Sequence, residues 1–343
     1  MMRALVTGST GCVGANLVAA LNRRGIEVIG LRRKTSPEDA IHDLVMTPVV
    51  GDILDIESLY PAMEGVDWVF HVAAVATYRR TPDDLFYRVN VEGTRNVLLA
   101  ARQAGVRRFV LTSSAAALGK PRPGKELLDE RDQFNMRPRD FPYGHSKHLA
   151  EQVLAEFVEQ GMHAVSVLPT AVIGPRDVKF ISGELIIQAL KGGILALPPG
   201  GVNYIDVRDC VEGHIAAAER GKPGERYLLG GHNMTHRETM EIIASVLGTR
   251  VPPLTIPRWA LPALAEVVGL AQKLGLDVPI DRGRVLLSGE FMYYDNSKAV
   301  RELGLTVRPF AESVRDAYNW YAEHGYLERR GIHVRPLPPV PSR

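Results

Sequence analysis

The first fourteen residues, MMRALVTGSTGCVG, constrain this chain more than any other stretch. Arg3–Thr7 is a short apolar run with β-branched character, and it breaks at once into Gly8, Gly11 and Gly14. Beyond Gly14, the residues Leu17, Val18 and Leu21 recur at helical spacing until Gly25 stops them. Strand, glycine turn and helix, in that order, present free backbone N–H groups and the positive end of a helix dipole to a phosphate. Gly8 allows the tight turn, Gly11 lets backbone approach a pyrophosphate, and Gly14 lets the helix lie close on the sheet. The spacing is Thr-Gly-x-x-Gly-x-x-Gly rather than G-x-G-x-x-G. Three glycines also serve plain turns. Their place between a first strand and an amphipathic helix is what makes them a dinucleotide-binding turn.

The rest of the chain repeats the rhythm. Strands are expected at Glu27–Leu31, Pro48–Val50, Asp67–Val72, Arg107–Thr112 and His163–Leu168, and helical segments at Asp55–Met63, Asp83–Ala104 and Tyr143–Gln160. The unalternating run Asp67–Val72 suits a parallel strand buried on both faces. Alternating strands and helices of this kind predict right-handed βαβ units and an α/β fold, a doubly wound parallel (Rossmann) sheet. Beyond Pro169 the rhythm loosens into a helix at Ser182–Lys191, a Gly- and Pro-rich loop and a short strand at Val202–Asp206. A helix at Val207–Glu219 and a strand at Arg226–Leu229 follow, then a capping box, Thr235-x-x-Glu238, opening a helix up to Leu247. We expect a dinucleotide-binding domain over 1–170, completed by about 202–222 and 291–303. A smaller, mostly helical substrate lobe over 171–201 and 223–290 is expected beside it. The remainder, 304–343, would hold a C-terminal helix and a disordered tail.

Composition narrows the functions. The chain has 343 residues, enough for a full α/β core and a second lobe, and 41 basic against 39 acidic residues give a net charge of +2. That balance argues against a nucleic-acid or membrane-surface partner. Cys12 and Cys210 are the only cysteines. They have no metal-ligand spacing and suit a reducing cytoplasm. The chain enters a strand directly, which leaves no room for a signal peptide. Trp259–Leu274 is the most apolar long stretch, but Pro262, Glu266, Gln272 and Lys273 make it too polar to span a membrane. We read it as an amphipathic helix covering a pocket.

A second constellation carries chemistry. Tyr143 and Lys147 lie four apart at the start of a helix, so both project from one face. A phenol, with its reference pKa of about 10, is a poor acid–base catalyst at neutral pH, and a nearby ammonium brings it into range. Thr112-Ser113-Ser114 ends the strand before it, and open α/β sheets bind ligands at the carboxyl ends of their strands. A serine there can hold a substrate oxygen opposite Tyr143.

Glycine turn, strand-end serine and Tyr-x-x-x-Lys, in this order, resemble the extended short-chain dehydrogenase/reductase superfamily over essentially the whole chain. The carrying stretches are VTGSTGCVG, VVGDILD, VFHVAA, NVEGTRNVL, FVLTSSAAALG, YGHSK, LPTAVIGP, NYIDVRDCVEGH and YYDNSKAVRELGL. They are most similar to the dihydroflavonol-reductase-like and 3β-hydroxysteroid-dehydrogenase-like branch, which includes bacterial hopanoid-associated epimerase-like members. The resemblance implies that Tyr143 is the general acid/base. Lys147 would bind the nicotinamide ribose and lower the tyrosine pKa, and Ser114, rather than Ser113, would position the substrate oxygen. It implies a cofactor site of Gly8, Thr10, Gly11, Cys12, Val13 and Gly14 for the pyrophosphate, and Asp52 and Ile53 for the adenine. Ala73, Ala74 and Val75 would pass under the cofactor, and Thr112, Pro169 and Val172 would lie near the nicotinamide. Asn90 would steady its helix or the site. Tyr78, Ala115, Thr170 and Tyr204 are the candidate substrate contacts. His71 and His145 fall near the site, with no carboxylate or cysteine at ligand spacing, so no metal is expected.

Cofactor type has a physical argument. NAD-preferring folds hold the ribose hydroxyls with an acidic residue after the second strand, and here Arg32 and Arg33 stand instead. Guanidinium suits a 2′-phosphate, so NADP(H) is expected, with NAD the alternative. Nucleotide-sugar epimerases of the superfamily carry an Arg-Tyr-Phe-Asn-like segment where this chain has Leu168-Pro169-Thr170-Ala171. The stretch around Trp259, Leu261, Leu264, Val267 and Val268 is apolar, with few basic residues to meet a diphosphate. The expected activity is therefore reduction of a ketone or aldehyde, or its reverse, on a mostly apolar small molecule. Two readings stay open: a nucleotide-sugar 4-epimerase with retained NAD, and a non-catalytic dinucleotide-binding module. The resemblance further implies a homodimer through the two long helices.

Overall fold

The structure is a computed structural model describing residues 2–77, 81–276 and 282–338. The first half runs β1 (Arg3–Thr7), α1 (Cys12–Arg23), β2 (Glu27–Arg32), β3 (Thr47–Val50), α2 (Tyr60–Met63), β4 (Trp68–His71), α3 (Asp83–Tyr87) and α4 (Gly93–Gln103). It continues with β5 (Arg108–Thr112), α5 (Pro142–Glu159) and β6 (Ala164–Pro169). After β7 (Ala171–Ile173) come α6 (Glu184–Lys191), β8 (Ala196–Leu197), β9 (Gly201–Asp206), α7 (Val207–Arg220) and β10 (Arg226–Leu229). The remainder is β11 (His232–Thr235), α8 (His236–Leu247), β12 (Leu254–Thr255), α9 (Leu261–Lys273), α10 (Arg282–Leu287), β13 (Phe291–Met292), α11 (Ser297–Leu303) and α12 (Phe310–Glu323).

Seven strands form one sheet in the order β10-β6-β5-β4-β1-β2-β3, every pair parallel. Both faces are covered, which is why strands such as β4 and β6 are buried at every residue. One face packs Val6, Phe70, Val110 and Val167 against α1 and α7, and the other packs Leu5, Val69, Phe109 and Leu111 against α4 and α5. The doubly wound sheet is as expected. The chain leaves β1 toward β2 on one side and reaches β4 on the other, so the cleft outside β1 and β4 is the switch point where such sheets bind ligands. The glycine turn sits at that point. Gly8 has φ +67°, and a Cβ built on it would lie 2.8 Å from the Ala73 backbone.

Three expectations need correction. Asp83–Ala104 is not one regular helix: a π-turn at Arg88–Glu92 joins α3 to α4 and turns Asn90 inward. Arg226–Leu229, expected in the substrate lobe, is the edge strand of the main sheet and pairs with β6. The strand expected at Val202–Asp206, which with the helix after it was to complete the dinucleotide-binding domain, runs Gly201–Asp206 and instead centres a small sheet, pairing with β7, β11 and β13, while α7 does pack on the main sheet. The physical reason lies at Pro169. Proline ends β6 without a ladder N–H to donate, and Ala171–Ile173 then pairs with β9 in the second sheet. The capping box is present, the Thr235 hydroxyl accepting from the Glu238 N–H while Glu238 accepts from the Thr235 N–H. The proline-rich tail is tied to α12 as far as Leu337, whose backbone exchanges two hydrogen bonds with Asn319.

The packing at the turn gives a test. A Cβ on Gly14 would stand 2.2 Å from the Gly8 carbonyl oxygen, backbone against backbone with no flexible side chain to yield. Gly14→Ala is expected to lower the urea-unfolding free energy by about 1–3 kcal/mol, the usual range for an overpacked site. Ala19→Gly on the same helix, away from the turn, serves as the control.

Candidate active site

The site grows from the carboxyl end of β5 and the first turns of α5. Proline at the first position of α5 starts the helix, which projects Tyr143 and, one turn on, Lys147. Gly144 between them has a steric reason. A Cβ there would lie 2.6 Å from the Ala116 carbonyl, so its absence lets α5 press against the short 3₁₀ turn Ala115–Leu118. That contact brings Tyr143 to Ser114, whose hydroxyl hydrogen-bonds the phenol. Ser114 also caps the 3₁₀ turn, accepting from the Ala116 N–H at 3.2 Å. Ser113 is buried at 3% exposure, with its hydroxyl beside Glu151, two turns beyond Tyr143 on α5.

Charge in this cluster is set by burial. The Lys147 ammonium, 3% exposed, donates to the Thr112 carbonyl at 2.8 Å, and desolvation pulls its pKa down to about 8 while Glu151 resists the shift. Burial pushes the Tyr143 phenol upward, against the Ser114 hydroxyl and the Arg284 guanidinium, which favour the phenolate. At neutral pH the cluster therefore holds a protonated phenol beside a charged lysine. The rings of Phe86 and Phe141 stand edge-on to Tyr143, 6.2 and 6.4 Å between centroids, and give the phenol apolar walls.

Beneath the site two buried histidines act as pins. The Thr7 hydroxyl accepts from the N–H groups of Val72 and Ala73, so its own proton goes to His71 Nδ1 at 2.8 Å. His71 Nε2–H then donates to the Thr94 hydroxyl, which donates to the Asn90 carbonyl. His214 Nδ1–H donates to the Cys210 carbonyl, and its Nε2 accepts from the Thr112 hydroxyl at 3.0 Å. Both rings are neutral, desolvation lowering His71 to about 3 and His214 to about 4. Asn90 completes the frame. Its amide exchanges hydrogen bonds with both backbone groups of Val75 and donates to Ser146 on α5.

The glycine turn fits a dinucleotide. Gly11 is the N-cap of α1 and offers no capping side chain, so the helix start keeps N–H groups for a phosphate, and the glycines leave the room a Cβ would fill. Thr10 is buried, and Cys12 and Val13 are half-buried in the first turn of α1. Arg32 ends β2 with its Nη2 on Glu38 at 2.7 Å and its Nε buried without a hydrogen-bond partner, while Arg33 is exposed. Asp52 accepts from the Leu54 N–H, and Ile53 packs under Gly93. Ala73, Ala74 and Val75 follow β4 directly past the glycine turn. Pro169 ends β6 and Val172 lies on β7.

The candidate substrate contacts fare unevenly. Thr170 is half-buried, bonded through its N–H to the Leu229 carbonyl. Tyr204 is a correction: it is 5% exposed and packs on Phe310 in the core of the second lobe, because β9 turns this side chain inward. Ala115 is likewise buried, against Leu118 and Leu168. Tyr78 lies outside the described residues. On α9, Leu261 and Val268 are buried with Val285 of α10, whereas Val267 is 64% exposed, and Trp259, in the turn just before α9, is 82% exposed. Sequence reasoning missed Arg284 and its neighbour Arg282. Arg282 joins Glu266 of α9 to Asp140, three residues before Tyr143, which brings α10 to the mouth of the site. No periodicity in the sequence points from Arg284 to Tyr143.

A fold and site of this kind define an extended short-chain dehydrogenase/reductase. The model of the NAD dependent epimerase/dehydratase family matches residues 4–230, so the chain belongs to that family and is an NAD(P)-dependent enzyme acting on CH–OH and C=O groups. It is 39% identical to a provisionally named dihydroflavonol 4-reductase of Synechocystis sp., over 94% of this chain and 95% of the relative. It is 32% identical to the sterol demethylase protein B of Methylococcus capsulatus, over 95% of this chain and 100% of that protein. The crystal structure of gox2253 superposes with a TM-score of 0.83 at 35% identity, covering 95% of this chain and 99% of the other.

The two neutral histidines predict acid sensitivity. Their folded pKa values lie below the ordinary 6.5, so the unfolded chain takes up protons first as the pH falls. The stability they confer is full above pH 6.5 and is lost as the pH drops toward 4. By pH 5 each loses on the order of 2 kcal/mol. Urea unfolding of the parent and of His214→Gln at pH 7 and pH 5 should show a shallower pH dependence in the variant.

Proposed function

We propose that this chain is an NADP(H)-dependent reductase that interconverts a ketone or aldehyde and an alcohol on a mostly apolar small molecule. The observation that carries the reading is the protonated Tyr143 phenol, hydrogen-bonded by Ser114 and standing one helical turn from a charged, buried Lys147. A phenol kept protonated by burial is ready to give its proton to a carbonyl oxygen. Ser114 donates a hydrogen bond to the same oxygen. As the proton leaves, Arg284 favours the phenolate, and by the family resemblance Lys147 would add to it; fixed charges in a dry site do this with little reorganisation. The nicotinamide, when bound, supplies the hydride in reduction and accepts it in the reverse direction.

Gly8, Thr10, Gly11, Cys12, Val13 and Gly14 would hold the pyrophosphate, Arg32 and Arg33 the 2′-phosphate, and Asp52 and Ile53 the adenine. Ala73–Val75, Thr112, Pro169 and Val172 would border the rest, with Lys147 on the ribose. The apolar substrate class draws on the Phe86 and Phe141 walls and on relatives named for a dihydroflavonol and for sterols. A homodimer through α4 and α5 and a cytoplasmic setting, in keeping with two free thiols, belong to the same reading.

Two measurements test it. NADPH oxidation is followed with a dihydroflavonol, a 3-keto steroid and simpler aromatic ketones. Turnover of at least one is expected, with Tyr143→Phe slowing it by about 10²–10⁴-fold while NADPH binding is retained. An unslowed Tyr143→Phe enzyme would remove the phenol from the reaction. Arg32→Ala should weaken NADPH binding by about tenfold, the loss of one charge-assisted contact, and leave NADH binding near its parent value. Equal loss for both nucleotides would assign Arg32 to the adenine instead.

A further inference from the structure

One turn beyond Lys147 on α5 stands a third polar side chain, Glu151. On a solvated helix this would be an ordinary i, i+4 partner worth little. Here it is built in. The Glu151 side chain is 9% exposed, and its Oε2 accepts from Arg226 Nη2 of β10 at 2.7 Å. Its Oε1 is buried without a hydrogen-bond partner, as is the Ser113 hydroxyl, and burial pushes the carboxyl pKa upward against Arg226 and Ser113, which favour the carboxylate. Arg226 is itself anchored, its Nη1 donating to the carbonyls of Glu130 and Asp132 at 2.7 and 2.9 Å. The Lys147 ammonium donates to the Thr112 carbonyl at 2.8 Å rather than to Glu151.

The charged and titratable neighbours come from every side. His71 on β4 is neutral, and so is His214 on α7, which holds Thr112. His148 on α5 is lowered by burial and by Arg226. Glu130, from the loop before α5, accepts from the Leu228 N–H, and Lys298 of α11 is paired with Glu225. Among the described residues, Glu151 is the negative group that acts on Lys147.

We propose that Glu151 is a positioning residue that keeps Lys147 a cation, with Arg226 holding the carboxylate in place for that purpose. Tyr143, Lys147, Glu151 and Arg226 then form one electrostatic line from the site to the edge of the sheet. Two buried charges interact strongly across a low-dielectric interior even without direct contact. Burial alone draws Lys147 toward the neutral amine, which could not stabilise a phenolate. With Glu151 in place the ammonium persists to about pH 8. The catalytic consequence rests on the role given to Lys147 in the proposed function, whereas the coupling itself can be measured without substrate or cofactor.

The test is an NMR titration of the full chain carrying ¹³Cε-labelled lysine, with the Lys147 signal assigned by its loss in Lys147→Arg. In E151Q the Lys147 midpoint should fall by about one pH unit or more. In R226Q, which takes away the anchor of the carboxylate, it should fall as well, by a smaller amount. A midpoint unchanged in folded E151Q, or one that rises in either variant, overturns the proposal. If E151Q does not fold, R226Q decides alone: a fall, which loss of a cation by itself cannot produce, supports the coupling, and no fall overturns it. The alkaline limb of ketone reduction, followed with whichever probe ketone is turned over, should move with the midpoint. Should the midpoint shift while the limb stays, the coupling stands and the catalytic role given to Lys147 fails.

Discussion

The close approach of two backbones, at Gly8 after the first strand and at Ala73 after the fourth, is the constraint on which the rest of this structure depends. It places the glycine turn at the point where the sheet's strand order reverses, and it leaves the start of α1 with unspent N–H groups facing the cleft. Thr7 locks the approach by taking both the Val72 and Ala73 N–H groups on one hydroxyl. His71 and Thr94 carry that lock to Asn90, and Asn90 carries it to α5. The helix bearing Tyr143 and Lys147 is thus registered against the turn that would hold the cofactor by a chain of buried neutral hydrogen bonds. Neutrality matters. A protonated His71 would break the chain of donors and place a second cation near Lys147.

The chemistry rests on a different balance. Burial acts in opposite senses on the phenol and the ammonium, raising the one and lowering the other. Both shifts favour neutral groups, yet proton donation to a carbonyl needs a neutral phenol beside a charged lysine. The fold meets that need by surrounding the lysine with one carboxylate and two neutral imidazoles, and the phenol with aromatic edges, a hydroxyl and one guanidinium. Arg284 makes α10 a contributor to the phenol's environment. Arg282, bonded to both Glu266 and Asp140, keeps that helix beside it.

Much of this was legible in the sequence. The glycine turn, the parallel strands and the Tyr-x-x-x-Lys helix are local patterns, and local patterns report their own backbone geometry. Ser114 was separable from Ser113 only through the resemblance. In the structure the difference is which residue of α5 each hydroxyl meets, Tyr143 for Ser114 and Glu151 for Ser113. The π-turn at Asn90 was invisible, because its residues keep a helical hydrophobic rhythm and only the hydrogen-bond register changes. The exchange of β9 and β10 between sheets was likewise hidden, since two short apolar strands of similar length carry no label for their partners. Tyr204 misled for a related reason: an aromatic on a short strand reads alike whether it faces a cleft or a core. Arg284 could not be foreseen, because it meets Tyr143 only through the docking of α10 against the mouth of the site.

The central claim is that the chain exchanges its nicotinamide cofactor at every turnover, as a reductase must, rather than retaining it. The most direct measurement is to denature freshly purified protein and identify any released nucleotide by mass spectrometry, before and after dialysis against NADPH. The account predicts little retained NAD, and NADPH that is taken up and washes out again. Stoichiometric NAD that survives dialysis and refuses exchange would contradict it and favour a sugar-nucleotide epimerase on the same fold.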